Sequence, residues 1–155
     1  YSRQVVAVRS DSDIYTLQDL AGKVVAVQST TKPEELFLNA EQNGLPRLRR
    51  LYSLQNRDLI YTTLIKGYAD ALATHESAIR QFMKDYSVEY RILDEPLMTA
   101  RLGVAFSKNR SDDLPQQLTE VFQEMLADGT VRQIVSRYLD DPGHYLDGLE
   151  DSTHA

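Results

Sequence analysis

Two short polar runs hold the residues best suited to bind or turn over a small molecule. In the first, Lys23-Val24-Val25-Ala26-Val27-Gln28 is followed by Ser29, Thr30 and Thr31, and then by Pro33-Glu34-Glu35. Hydroxyl residues ahead of a proline and two acids mark a helix start. The hydroxyls accept from free backbone N–H groups, the proline suits the first turn and the acids complement the helix dipole. Ligands of open α/β sheets sit outside the carboxyl ends of the strands, so these hydroxyls either cap the helix or bind a carboxylate or phosphate. The second run, Asp70-Ala71-Leu72-Ala73-Thr74-His75-Glu76-Ser77, has the same layout. Here Thr74 or His75 can cap the next helix and Glu76 can complement its dipole, while His75 with Glu76 has the composition of an acid/base pair. Asp70 reads as structural, at the start of a strand.

Most other chemistries are excluded by composition. The chain has no Cys, which removes disulfides, thiolate nucleophiles and Cys-ligated metals. His75, His144 and His154 are far apart and form no HExxH or His-x-His pair, so no metal and no cofactor is expected. There is no GxGxxG, no Walker lysine and no GxSxG elbow. Acidic pairs such as Asp112-Asp113 and Asp140-Asp141 read as solvated surface. With 17 basic against 23 acidic residues the formal charge is −6, and the only dense basic run, Arg47, Arg49 and Arg50, is too short for a phosphate groove. No nucleic-acid partner is expected. The longest apolar stretches, Val24 to Val27 and Gly103 to Phe106, fall far short of the ~20 residues that cross a bilayer.

The elements that must carry the two runs alternate. The run Gln4 to Arg9 predicts a strand ending at Ser10-Asp11-Ser12-Asp13, and Leu17 to Leu20 predicts one helical turn stopped by Gly22. The Val24 strand follows, then a helix from Thr31 to about Asn43, a strand over Arg49 to Ser53, and a helix over Asn56 to Lys66. A buried strand at Asp70 to Thr74 leads into a helix over Glu76 to Asp85. Val88 to Leu93 and Ala100 to Ser107 are further strands. Two helices close the chain: Leu114, Leu118, Val121, Phe122, Met125 and Leu126 keep helical spacing, and Val131 to Leu139 repeat it across an Asp128-Gly129-Thr130 joint, with Thr130 as cap. The result is an α/β fold, a mostly parallel sheet flanked by helices.

The order of these segments is more specific than any one of them. "SDIYTLQDLAGKVVAVQ" followed by "STTKPEE", then "LIKGYADALAT", then "RLGVAFSKNRSDDLPQQLTEVFQEMLADGTVRQIVSRYL" closely resembles the periplasmic solute-binding proteins of the polar amino-acid type, family 3. The resemblance runs over residues 4–139. It implies a two-lobed Venus-flytrap (periplasmic-binding-protein type II) fold that closes on a small polar solute. On that pattern the chain begins at the hinge: 1–9 is a hinge strand, 10–99 lobe two, 100–107 the second hinge strand, 108–140 the C-terminal helices and 141–155 a tail or linker. The two crossing strands fall near Val5 to Arg9 and Leu102 to Phe106, and the earlier part of lobe one is missing.

Residue by residue, the resemblance implies that Ser29, Thr30 and Thr31 hydrogen-bond a ligand carboxylate, and that Thr74, His75 and Glu76 form the second part of the site. The family places an Asp five residues after the Asp of "DA" to hold a ligand ammonium; here that position is His75. An imidazole cannot replace a carboxylate against an ammonium group. Either Glu76 takes the role, or the solute is not an ordinary α-amino acid. The function implied is a ligand-binding domain without catalytic residues, periplasmic or extracytoplasmic. It would recognise an amino acid or related carboxylate, as the substrate-binding protein of an ABC transporter working with its membrane subunits or as the sensor domain of a membrane receptor. A dehydratase-like enzyme on the same fold is the alternative.

Overall fold

The computed structural model describes residues 1–146 and Leu149. They form two units, one of residues 2–100 and one of Tyr1 with the chain from Arg101 onward. In the first unit the elements run β1 (Ser2–Arg9), β2 (Val24–Gln28), α1 (Lys32–Leu38), β3 (Arg50–Leu54), α2 (Arg57–Ile65), β4 (Ala71–His75), α3 (Glu76–Tyr86), β5 (Tyr90–Ile92) and β6 (Met98–Ala100). A 3-10 turn, Leu17–Leu20, precedes β2, and Gly22 takes the expected left-handed conformation after it.

The strands β1, β2 and β4 carry unbroken apolar runs, Val5 to Val8, Val24 to Val27 and Ala71 to Ala73, because both faces of the sheet are covered there. Alternation sends their side chains to two separate cores. Val6, Val8, Val25, Val27, Ala71 and Ala73 meet Leu17, Leu20 and Phe37 on one face. Val5, Ala7, Val24, Ala26 and Leu72 meet Ile60, Tyr61, Leu64 and Ile79 on the other. Each fully buried aliphatic side chain contributes roughly 1.5–3 kcal/mol.

The strand order is β3-β2-β4-β1-β5, with β6 also pairing with β1. β2 is parallel to both β3 and β4, whereas β1 is antiparallel to β4, β5 and β6. The sheet is therefore mixed: five strands share one direction and the central β1 opposes them. Asp70 is structural, as its position suggested. Its carboxylate accepts from the Val24 N–H at 2.7 Å and its own N–H donates to the Val24 carbonyl at 2.8 Å, which sets the register of β2 against β4.

Several boundaries differ from the sequence expectations. The helix expected to reach Asn43 stops at Leu38, and a separate 3-10 turn covers Glu41–Asn43. The reason is side-chain competition: the Asn39 amide donates to the Glu35 carbonyl and the Asn43 amide to the Leu36 carbonyl, offering the backbone an alternative to helix. The Val88 to Leu93 strand is shorter, Tyr90–Ile92.

The second unit holds α4 (Leu114–Ala127), α5 (Thr130–Val135) and α6 (Pro142–Leu146), with Leu126, Val131 and Leu146 as its buried cluster. The strand expected over Ala100 to Ser107 is absent beyond β6. Residues 101–106 pair with no strand among the described residues, and Leu102 and Val104 are exposed. A strand persists only where another backbone takes its hydrogen bonds. Thr130 is not the cap of α5: Gly129 holds that place, and the Asp128 carboxylate accepts from the Thr130 N–H at 2.8 Å. In the segment expected as a tail or linker, α6 buries Tyr145 and Leu146. Of the stretch Gly148 to Ala155, only Leu149 is among the described residues, so the tail reading there, with His154, lies outside them.

Candidate functional site

Because β2 and β4 are adjacent and parallel, with Val25 opposite Ala71 and Val27 opposite Ala73, their carboxyl ends open on the same end of the sheet. The two polar runs found in the sequence are thereby brought side by side. The carboxyl end of β3 joins them, since β3 is parallel to β2 on its other side.

In the β2–α1 turn, Thr31 occupies the cap position of α1 but its side chain caps no backbone N–H. Its hydroxyl instead donates to the Gln28 carbonyl at 2.5 Å, and the Thr30 hydroxyl donates to the Ser29 carbonyl at 2.6 Å. Both hydroxyls keep lone pairs and have their protons committed. The Ser29 N–H donates to the Leu54 carbonyl of β3 at 2.9 Å. Thr30 has a φ of 60°, a left-handed conformation that costs a non-glycine residue on the order of 1 kcal/mol. Glu34 holds it there: one carboxylate oxygen accepts from the Thr30 N–H at 2.6 Å and the other from the Ser53 hydroxyl on β3. Those two bonds, Ser53 foremost, keep the Glu34 carboxyl below its ordinary pKa.

The β4–α3 turn is built differently. Thr74 and Glu76 are buried. His75 caps α3 in position only, and both of its ring nitrogens are engaged: Nε2 with the Ser2 hydroxyl at 2.6 Å and Nδ1 with the Ser77 hydroxyl at 2.9 Å. Burial, reinforced by the charge of Arg57 and opposed by that of Glu76, lowers the His75 pKa from its ordinary value and so favours the neutral ring. Glu76 turns along its helix to Arg80, accepting from Nη2 at 2.7 Å and Nε at 2.9 Å. An acid/base pair of His75 and Glu76 is not what the geometry offers, since each side chain is bonded to a different partner.

Two residues of this end, Arg57 and Ser2, were not singled out from the sequence. Arg57, at the first position of α2, reaches Gln28 at the end of β2, its Nε donating to Oε1 at 3.3 Å. Ser2 comes from the opposite end of the unit's sequence. Of the two, only Arg57 carries a local signal, a cation at a helix start where an acid is favoured. The concavity beside Thr30 and Thr31 has a volume of about 400 Å³ and also touches Lys32, Glu34 and Asn39. A roomier one, about 710 Å³, lies away from this cluster, between Phe37, Leu45, Leu48 and the three arginines Arg47, Arg49 and Arg50. Among the described residues no group of His, Asp and Glu side chains could hold a metal ion.

Comparison with known proteins places this geometry in a family. Residues 1–142 match the family model described as "ABC transporter, phosphonate, periplasmic substrate-binding protein". The histidine-binding periplasmic protein of Escherichia coli (strain K12) is 35% identical over 147 residues, covering 90% of this chain and 54% of that protein. The L-cystine-binding protein TcyK of Bacillus subtilis (strain 168) is 27% identical over 143 residues, 89% of this chain and 51% of that protein. The chain thus spans about half the length of the curated relatives it matches. Among solved structures, the probable amino-acid ABC transporter extracellular-binding protein ytmK of Bacillus subtilis superposes with a TM-score of 0.74 at 25% identity, over 90% of this chain and 60% of that one. With the hydroxyl residues that follow β2 and end β4 lying at the same end of the sheet, and a family model matched over residues 1–142, this chain belongs to the periplasmic substrate-binding proteins of ABC transporters.

Proposed function

We propose that this chain supplies one face of a binding site for a small polar, amino-acid-like solute, in an extracytoplasmic protein that delivers it to an ABC transporter. The observation that carries this is the placement of Ser29, Thr30 and Thr31 beside Thr74 and His75 at the carboxyl ends of β2 and β4. An open α/β sheet receives its ligand at that end. The relatives named above are binding proteins for amino acids, and none is an enzyme. The division of labour suits binding: His75 and Glu76 are tied up within the protein, which leaves the acid/base chemistry of a dehydratase without a free proton carrier, whereas hydroxyl lone pairs and Arg57 remain for solute.

Isothermal titration of the full-length protein with the common amino acids tests this reading. Saturable one-to-one binding of at least one of them, weakened about tenfold, or ~1–2 kcal/mol, by Thr30→Ala or Thr31→Ala, is the expected result. Binding that both variants leave unchanged would remove the β2–α1 turn from the site. A sensor domain would bind its solute in the same way and differ only in its partner, so transport of that solute by cells lacking the protein decides between delivery and sensing.

A further inference from the structure

Arg57 occupies a position that is unfavourable for the fold alone. The first turn of a helix carries partial positive charge, so a cation there is repelled where an acid would be stabilised. Arg57 is the first residue of α2, exposed, and has no carboxylate partner among the described residues; its one hydrogen bond goes to the neutral amide of Gln28. That bond uses Nε and leaves the two Nη groups, the planar fork that matches an oxyanion, free of protein partners.

The acids around it are spent or diverge. Glu34 is held by the Thr30 N–H and the Ser53 hydroxyl, and Glu76 by Arg80. Asp58 follows Arg57 directly, about 100° further round the helix, and no ion pair joins them. Lys32, the other cation of this end, is paired with Glu35 at 2.6 Å. His75 adds no negative charge, since an imidazole is either neutral or cationic, and both of its ring nitrogens are bonded to serines. Among the described residues, the end of the sheet that gathers the hydroxyls therefore holds one unpaired cation, Arg57, with no carboxylate bonded to it.

We propose that Arg57 contacts the solute and reads an anionic group on its side chain, a carboxylate or a phosphonate beyond the α-carboxylate, so that this face selects acidic solutes over cationic ones. The inference rests on the solute-binding function proposed above and names the charge class of the solute. Gln28 is the positioning residue that holds the guanidinium at the end of β2.

The full-length protein is titrated calorimetrically with L-glutamate, the phosphonate analogue of glutamate, L-glutamine, L-histidine and L-lysine. One of the two acidic solutes is expected to bind at least tenfold more tightly than glutamine or lysine, and which of them is tighter separates carboxylate from phosphonate recognition. Arg57→Gln should erase that margin and Arg57→Lys should keep part of it, with unchanged thermal melts because the side chain is exposed. An acidic preference that survives intact in Arg57→Gln overturns the proposal. Binding of histidine or lysine with no acidic solute bound also overturns it, while leaving the solute-binding reading in place. No heat with any of the five overturns this proposal, and the solute-binding reading falls only if the remaining common amino acids give no binding either.

Discussion

The β2–α1 turn and the β4–α3 turn leave adjacent parallel strands at the same end of one sheet, yet they are held by opposite means. The first is partly exposed, keeps a non-glycine residue at φ 60° and depends on a charged clasp from Glu34 to two partners. The second is buried at Thr74 and Glu76, unstrained at His75 with φ −65°, and tied through neutral hydrogen bonds to Ser2 and Ser77. Even the lowered pKa values of the two turns mean different things. His75 is lowered chiefly by burial, which disfavours its charged form, whereas Glu34 is lowered by hydrogen bonds that favour its charged form. The difference separates a packed turn from a clasped one: backbone strain and a solvent-accessible clasp are where a loop opens at lower cost.

The largest test of this contrast is packing. Ile79 of α3 is fully buried, and Ile79→Ala should lower stability by about 2–5 kcal/mol in urea unfolding. Leu38 at the end of α1 is 69% exposed, and Leu38→Ala should change stability by less than about 0.5 kcal/mol. Equal losses would break the distinction between a packed and a clasped turn.

Next is the ion pair. Glu76 is buried while Arg80 is half-exposed, so Glu76→Gln leaves a cation that water can still reach; the expected cost is about 1–2 kcal/mol, below that of a fully buried pair. A cost near zero would place Glu76 with the exposed acids of the other turn.

A smaller effect should appear as two acid-linked steps. Because the folded pKa of His75 is depressed, the unfolded chain binds the extra proton first. Stability is therefore complete above the ordinary value of 6.5 and falls as pH drops below it. Glu34 contributes fully above its ordinary 4.5 and loses that contribution as pH falls through its depressed value. Urea midpoints against pH should show both steps, with His75→Gln erasing the upper one and Glu34→Gln the lower. A single step unaffected by either variant would sink the assignment.

The smallest effect is expected at Thr30. Thr30→Gly relieves the positive φ but frees the unfolded chain, so the net change should stay within about 1 kcal/mol of zero. A marked destabilisation would show that the Thr30 side chain, and not the Glu34 clasp, holds the turn.

What the amino-acid sequence alone determined was local and repetitive. The apolar runs at Val5, Val24 and Ala71 became strands buried on both faces, the Pro33-Glu34 start of α1 held, and Asp70 proved structural, because alternation, capping and turn chemistry act between residues a few positions apart. The order of segments also pointed to the family that residues 1–142 match. Tertiary structure decided which side chains meet. Ser2 bonds His75 across 73 positions, Arg57 bonds Gln28 across 29, and Glu34 bonds Ser53 across 19. Those pairings follow from the reversed direction of β1 and the place of β2 between β3 and β4. They arise only when distant strands exchange backbone hydrogen bonds, and no pattern within a single segment carries that information.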